Sequence, residues 1–164
     1  MAFSDRSAAI LCRYIDPDYA MTMINMYIEL GLSINIPNTD LISVLSHHGD
    51  QSLYSFGAFS NILTTHKSVS FQLWWNDHDD LYVRLSKYNQ MYQFYISFDG
   101  STTEQLTMLI EKTRSIYKKL IADNLGLYLI IDQTGTLSET SLIDNLLTGS
   151  ELQIPHGVII QSCA

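Results

Sequence analysis

Apolar and polar residues alternate through most of 68–98, the period of strands with one buried face. Val69, Phe71, Leu73 and Trp75 occupy odd positions, Leu81, Val83 and Leu85 continue them, and Tyr92, Phe94, Ile96 and Phe98 move to even ones. The pattern predicts a three-stranded antiparallel meander. A three-residue loop at Asp77, His78 and Asp79 would set Trp75 opposite Leu81, Leu73 opposite Val83 and Phe71 opposite Leu85. A two-residue turn at Tyr88 and Asn89 would set Leu85 opposite Tyr92, Val83 opposite Phe94 and Leu81 opposite Ile96. Both loops bring every alternating apolar residue to one side, which a one-residue slip would undo.

The same arithmetic places Trp74, Tyr82 and Tyr95 in one row of the opposite face, with Gln72, Arg84 and Gln93 in the next. A face meant for water should not hold three aromatic side chains. Either helices elsewhere in the chain cover it as a second core, or it is a patch for a partner, since Trp, Tyr and Arg are enriched where binding energy concentrates.

Around the meander, the periodicity predicts mainly helical structure over 1–49. A first helix starts at Ser4 or Asp5 with Ile10, Leu11 and Tyr14 inward. A second starts at Asp16-Pro17-Asp18, an N-cap, a suitable first residue and an acid at the positive helix end, and stops at Gly31. Leu32, Ile34 and Ile36 form a short extended piece able to pair at a sheet edge. A further helix opens at 38–40 with Leu41, Val44 and Leu45 and ends near Gly49. Residues 50–67 admit a loop followed by either a short helix or an edge strand through Ile62 and Leu63.

After Asp99-Gly100, Ser101 and Glu104 make a capping box for a long helix over 102–123, in which Leu106, Leu109, Ile110, Thr113, Ile116, Tyr117, Leu120 and Ile121 keep helical spacing. That helix is expected to pack on the meander, with Asn124 closing it. Residues 125–131 are apolar on both parities, as in a strand covered on both sides. A turn at 132–135, a helix opened by Thr136 and Glu139 that carries Leu142, Ile143, Leu146 and Leu147 to Gly149, and a last strand at 158–161 complete a strand-helix-strand run over 125–162. The prediction is an α+β fold in a single domain, 1–164: a helical N-terminal part and a meander extended by one or two strands, packed on a long helix.

Composition narrows the function. With 164 residues, 46% hydrophobic and 16% charged, the chain can bury a core without staples. Cys12 and Cys163 make neither a disulfide framework nor metal-site spacing, which fits a reducing compartment. The N-terminus lacks a secretory pattern and no apolar run is long enough to span a bilayer, so a soluble cytoplasmic protein is expected. Net charge is −8 and the nine basic residues are dispersed, which argues against direct nucleic-acid binding and for a basic protein partner.

No motif names an enzyme. There is no phosphate-binding glycine loop and no glycine-flanked nucleophilic serine, and neither cysteine has an adjacent base. His47 and His48 are adjacent rather than at i, i+4, and His66, His78 and His156 are scattered, so no metal or cofactor is expected. A metal site assembled in space from His48, Asp50 and His78 is left open, and a hydrolase-type His/Asp site around His47, His48 and His78 remains an alternative, as does a structural or adaptor domain. Asn76-Asp77-His78-Asp79-Asp80 is an acidic knot at a hairpin tip, both a solvated turn and a set of charges able to steer a partner.

The small size, the acidity, the lack of catalytic motifs and the order of meander, Phe98-Asp99-Gly100-Ser101-Thr102-Thr103-Glu104 turn and long helix resemble the immunity proteins of bacterial contact-dependent inhibition and related polymorphic-toxin systems. The resemblance lies in the second half of the chain and carries over no family residue. It implies a non-enzymatic protein that binds a cognate toxin, often a nuclease, over its active site or beside it. The expected anchors are Trp74, Tyr82, Arg84 and Tyr95, with Asp77, Asp79 and Asp80 as steering charges.

Overall fold

The structure, a computed structural model, describes residues 6–13, 16–88, 91–133 and 158–162. Among them the chain forms β1 (Ser7–Cys12), α1 (Pro17–Ile28), β2 (Ile42–Leu45), β3 (Gln51–Tyr54), α2 (Phe56–Thr65), β4 (Ser68–Trp74), β5 (Asp80–Tyr88), β6 (Met91–Ser97), α3 (Thr103–Ala122), β7 (Gly126–Asp132) and β8 (Val158–Ser162). The strands make one antiparallel sheet in the order β3-β2-β4-β5-β6-β1-β7-β8. The α+β class is as expected. No described helix is long and apolar enough to cross a membrane.

The N-terminal part is not mainly helical. Residues 7–12 form a central strand between β6 and β7, and every one of them is buried. Their sequence, Ser-Ala-Ala-Ile-Leu-Cys, is small or apolar on both parities, so a strand covered on both faces and a short buried helix look alike locally. Residues 42–45 are likewise a strand, joined to β3 by a turn through Gly49 at φ 85°. The helix at Asp16-Pro17 forms as expected, with Asp16 accepting from the Tyr19 N–H at 2.7 Å. The short extended piece bridges Ser33 to Trp74 and Asn35 to Ile42. Between 50 and 67 the chain makes an edge strand and then a helix.

The meander is present with its faces as expected and its register offset. Leu73 faces Leu81, Phe71 faces Val83 and Val69 faces Leu85 in the first hairpin; Leu85 faces Phe94 and Val83 faces Ile96 in the second. Each offset is two residues, which leaves every side chain on its expected face. The first loop is wider because Asn76 Oδ1 accepts from the N–H groups of His78 and Asp79, and the Trp75 N–H donates to the Asp79 carbonyl, so residues 75–79 close as a unit.

The three described helices lie on one face. Tyr27 of α1 stacks on Phe94 with ring centroids 5.8 Å apart, and Phe59 of α2 meets Phe71 edge-on at 5.2 Å. The long helix packs chiefly on β7, β1 and α1, so α1 and α2 cover much of the meander that it was expected to cover itself. Its capping box is Thr102 with Gln105, one residue on from the expected pair, and Asn124 follows it at φ 58°. β7 lies inside the sheet, as its apolar run predicts. Beyond the described residues fall the helix expected from Thr136, the turn residues 134–135 and Asn89, His156 and Cys163.

Cys12 is fully buried in β1 and its Sγ donates to the Tyr92 carbonyl at 3.6 Å. Burial pushes its thiol up from about 9 to about 12. Because the folded value lies above the unfolded one, this thiol favours the fold fully below pH 9, and the contribution is lost as pH rises through that window. In a Cys163→Ser variant, Cys12 is expected to react with a disulfide reagent at pH 8 on the order of a hundredfold more slowly than in denaturant. Comparable rates in the two states would contradict its burial.

Candidate functional site

The sheet face away from the described helices is built from alternate residues of each strand, and its two halves differ. Across β6, β1, β7 and β8 it is apolar: Ala9, Leu11, Ile130 and Val158 are buried there, with Tyr95 and Ile160 against them. Across β3, β2, β4 and β5 it is polar and half-open. The candidate anchors stand on that half and at its border.

Arg84 lies directly between Ser70 and Tyr95 across three strands. Its guanidinium carbon sits 5.1 Å from the centre of the Tyr95 ring, within cation–π range. The Tyr82 ring meets Tyr95 edge-on at 6.2 Å, and its hydroxyl shares a 2.8 Å hydrogen bond with Ser70 Oγ. All three side chains are half-buried. They do not form the row expected from the sequence: with the register offset by two, Tyr82 faces Gln72, and Trp74 faces Asp80. Trp74 therefore stands at the end of the strand, where its backbone pairs with Ser33 and its covered indole N–H has no hydrogen-bond partner among the described residues.

The acidic knot divides in two. Asp77 and Asp79 are exposed on the loop, and Asp79 Oδ2 accepts from Asn76 Nδ2 at 2.9 Å. Asp80 belongs to β5, is half-buried, and accepts from Gln72 Nε2 at 2.5 Å. That bond anchors a chain across four strands. A carboxylate only accepts, so the Gln72 amide nitrogen points toward it and its oxygen points back toward Ser43, which donates at 2.5 Å. Ser43 Oγ in turn accepts from Gln51 Nε2 at 2.7 Å. Asp80, Tyr82 and Arg84 are successive same-face residues of β5, roughly 7 Å apart, so charge, aromatic ring and guanidinium run in a line from the hairpin tip.

The histidines are not gathered. His47 and His48 sit in the β2–β3 turn with ring centroids 3.8 Å apart, whereas His78 lies on the loop at the other end of β4. Among the described residues no group of three His, Cys, Asp or Glu side chains could hold a metal ion, so His48, Asp50 and His78 form no such site. His47 and His66 do border one pocket with Tyr82 and Arg84, where β2 leaves β4. Sequence reasoning missed this pocket and the Ser43 relay, because both depend on β2 and β3 lying beside β4. Comparison of the chain with protein-family models, curated proteins and solved structures found no match.

Proposed function

We propose that this chain is an acidic protein-binding inhibitor of the immunity type, which acts in the cytoplasm and neutralises a basic toxin by binding it directly. The observation that carries this reading is the Tyr82, Arg84 and Tyr95 cluster on the sheet face opposite the helices. Tyr and Arg supply much of the energy at protein interfaces. Here they are braced by one another and by Ser70, so little side-chain freedom is lost on binding. Asp77 and Asp79 stand exposed at the end of the same hairpin, and the net charge of −8 favours encounter with a cationic surface. A toxin that acts on nucleic acid must itself be basic to hold phosphates, and such a surface complements this one. Asp80, held by Gln72, positions the strand rather than serving as a free charge.

The test is co-expression with the product of the adjacent upstream gene, followed by titration of the isolated pair at about 50 and about 200 mM salt. A one-to-one complex with a basic protein is expected, and its association should slow as salt rises. Replacing Asp77 and Asp79 together with Asn should lower the low-salt on-rate about threefold or more while leaving dissociation little changed. Failure to form any complex would overturn the reading; an unchanged on-rate would remove the steering role from the tip.

A further inference from the structure

The sheet ends at β3, and among the described residues no strand pairs with its outer side. The Ser46 N–H donates to the Asp50 carbonyl at 2.9 Å. In this register that pair, Val44–Ser52 and Ile42–Tyr54 are the ones that exchange backbone hydrogen bonds between β2 and β3. Gln51 and Leu53 therefore turn their N–H and C=O groups away from β2. The carbonyl of Ser55, the N-cap of α2, accepts from the Phe59 N–H, while the Ser55 N–H meets no backbone acceptor among the described residues. An open ladder of this kind is a template for another strand.

Edge strands are ordinarily guarded by charge, proline or a bulge. Gln51-Ser52-Leu53-Tyr54 is uncharged, lacks proline and pairs with β2 in continuous register. The gap in charge is wider than the strand: no Asp, Glu, Lys or Arg occurs from 51 to 66, in a chain of net charge −8. Of the three large apolar side chains exposed among the described residues, Leu53 and Phe56 are two, each 52% exposed. A cationic partner gains little from such an edge. A second acidic copy, repelled elsewhere, meets no like charge along it.

We propose that this edge pairs with the β3 edge of a second copy of this chain, antiparallel about a two-fold axis at Leu53 and perpendicular to the sheet. Leu53 then lies directly opposite its symmetry mate and the two exchange both backbone bonds, while the Ser55 N–H of each copy reaches the Gln51 carbonyl of the other. The two leucine side chains cover each other on one face of a continuous sheet. Asp50, the nearest charge in sequence, stands three residues from the axis, about 20 Å from its mate and beyond the Debye length at physiological salt. This inference goes beyond toxin binding and needs no other protein. A four-residue edge makes a small interface, so the dimer belongs to the weak class, with a dissociation constant on the order of 0.1 mM.

It is tested on the isolated full chain by sedimentation from about 10 µM to about 1 mM protein. A reversible monomer–dimer equilibrium is expected. It should tighten between about 50 and about 200 mM salt as repulsion between two copies of charge −8 is screened, the reverse of the proposed toxin complex. Leu53→Lys and Leu53→Glu each set like charges face to face and should weaken the dimer about tenfold or more. Mixing the two variants should recover association stronger than that of either alone, since opposite charges then meet. Leu53 is exposed enough for both changes to leave the fold intact, which circular dichroism checks. A chain that stays monomeric to about 1 mM, growth beyond a dimer, weakening by salt, an undiminished dimer in either variant, or no recovery in the mixture would overturn the assignment.

Discussion

Phe94→Ala is expected to lower the stability of the fold by about 3–5 kcal/mol, the range for removing a fully buried phenylalanine without collapse of the space it leaves. Phe94 is 1% exposed in the middle of β6, paired with Leu85 on one side and Ile10 on the other. It is also where the sheet meets the helices. Its ring lies nearly parallel to that of Tyr27, whose hydroxyl is 2.7 Å from Thr113 Oγ1 in α3. Thr113 commits its own proton to the Leu109 carbonyl, so Tyr27 is the donor. Losing the Phe94 ring thus removes the floor on which α1 rests and loosens the link from α1 to α3. Tyr27→Phe keeps the ring stack and deletes only the polar link, so it should cost about 0.5–1.5 kcal/mol. Urea unfolding of the two variants, with unchanged denaturant slopes, checks the contrast. A loss below about 1.5 kcal/mol for Phe94→Ala would mean that the site repacks and that the stack is not the joint described.

The faces of the meander are readable from sequence because a period of two survives any even shift in register. Register itself depends on turn chemistry. Counting only Asp77, His78 and Asp79 as the loop overlooked Asn76, whose side chain caps the N–H groups of His78 and Asp79 and draws Trp75 into the loop. The consequence falls on the candidate site, where Tyr82 faces Gln72 and Trp74 faces Asp80; the separate two-residue offset of the second hairpin sets Arg84 rather than Tyr82 beside Tyr95. The long helix is legible almost to the residue, since eight apolar or small positions keep one spacing and either of two adjacent capping pairs could start it. β1 and β2 are less so. Ser7–Cys12 carries no alternation because both of its faces are covered. The run from Leu41 to Leu45 offers equal support to a helix and a strand, although Ile42 and Val44 are β-branched. With β2 misplaced, the hydrogen-bond chain through Ser43 and the pocket beside Ser68 were out of reach, since strand order is a nonlocal property.

Tyr82→Ala is expected to weaken the proposed toxin complex by at least about 2 kcal/mol, roughly thirtyfold, while costing the free protein only about 1–2 kcal/mol. The separation follows from its setting. Tyr82 is half-buried, on the face that no described helix covers, and its one described polar contact is the bond to Ser70. Its truncation removes an edge-on ring contact with Tyr95 and leaves Arg84 less well braced, so a partner would meet a softer and more hydrated surface. Tyr82→Phe distinguishes ring from hydroxyl: it should keep most of the affinity if the ring is the anchor. The decisive comparison is affinity against stability, measured on the same variants by titration and by unfolding. A stability loss of about 3 kcal/mol or more with unchanged affinity would assign Tyr82 to a second core and leave the exposed Asp77 and Asp79 loop as the contact to test.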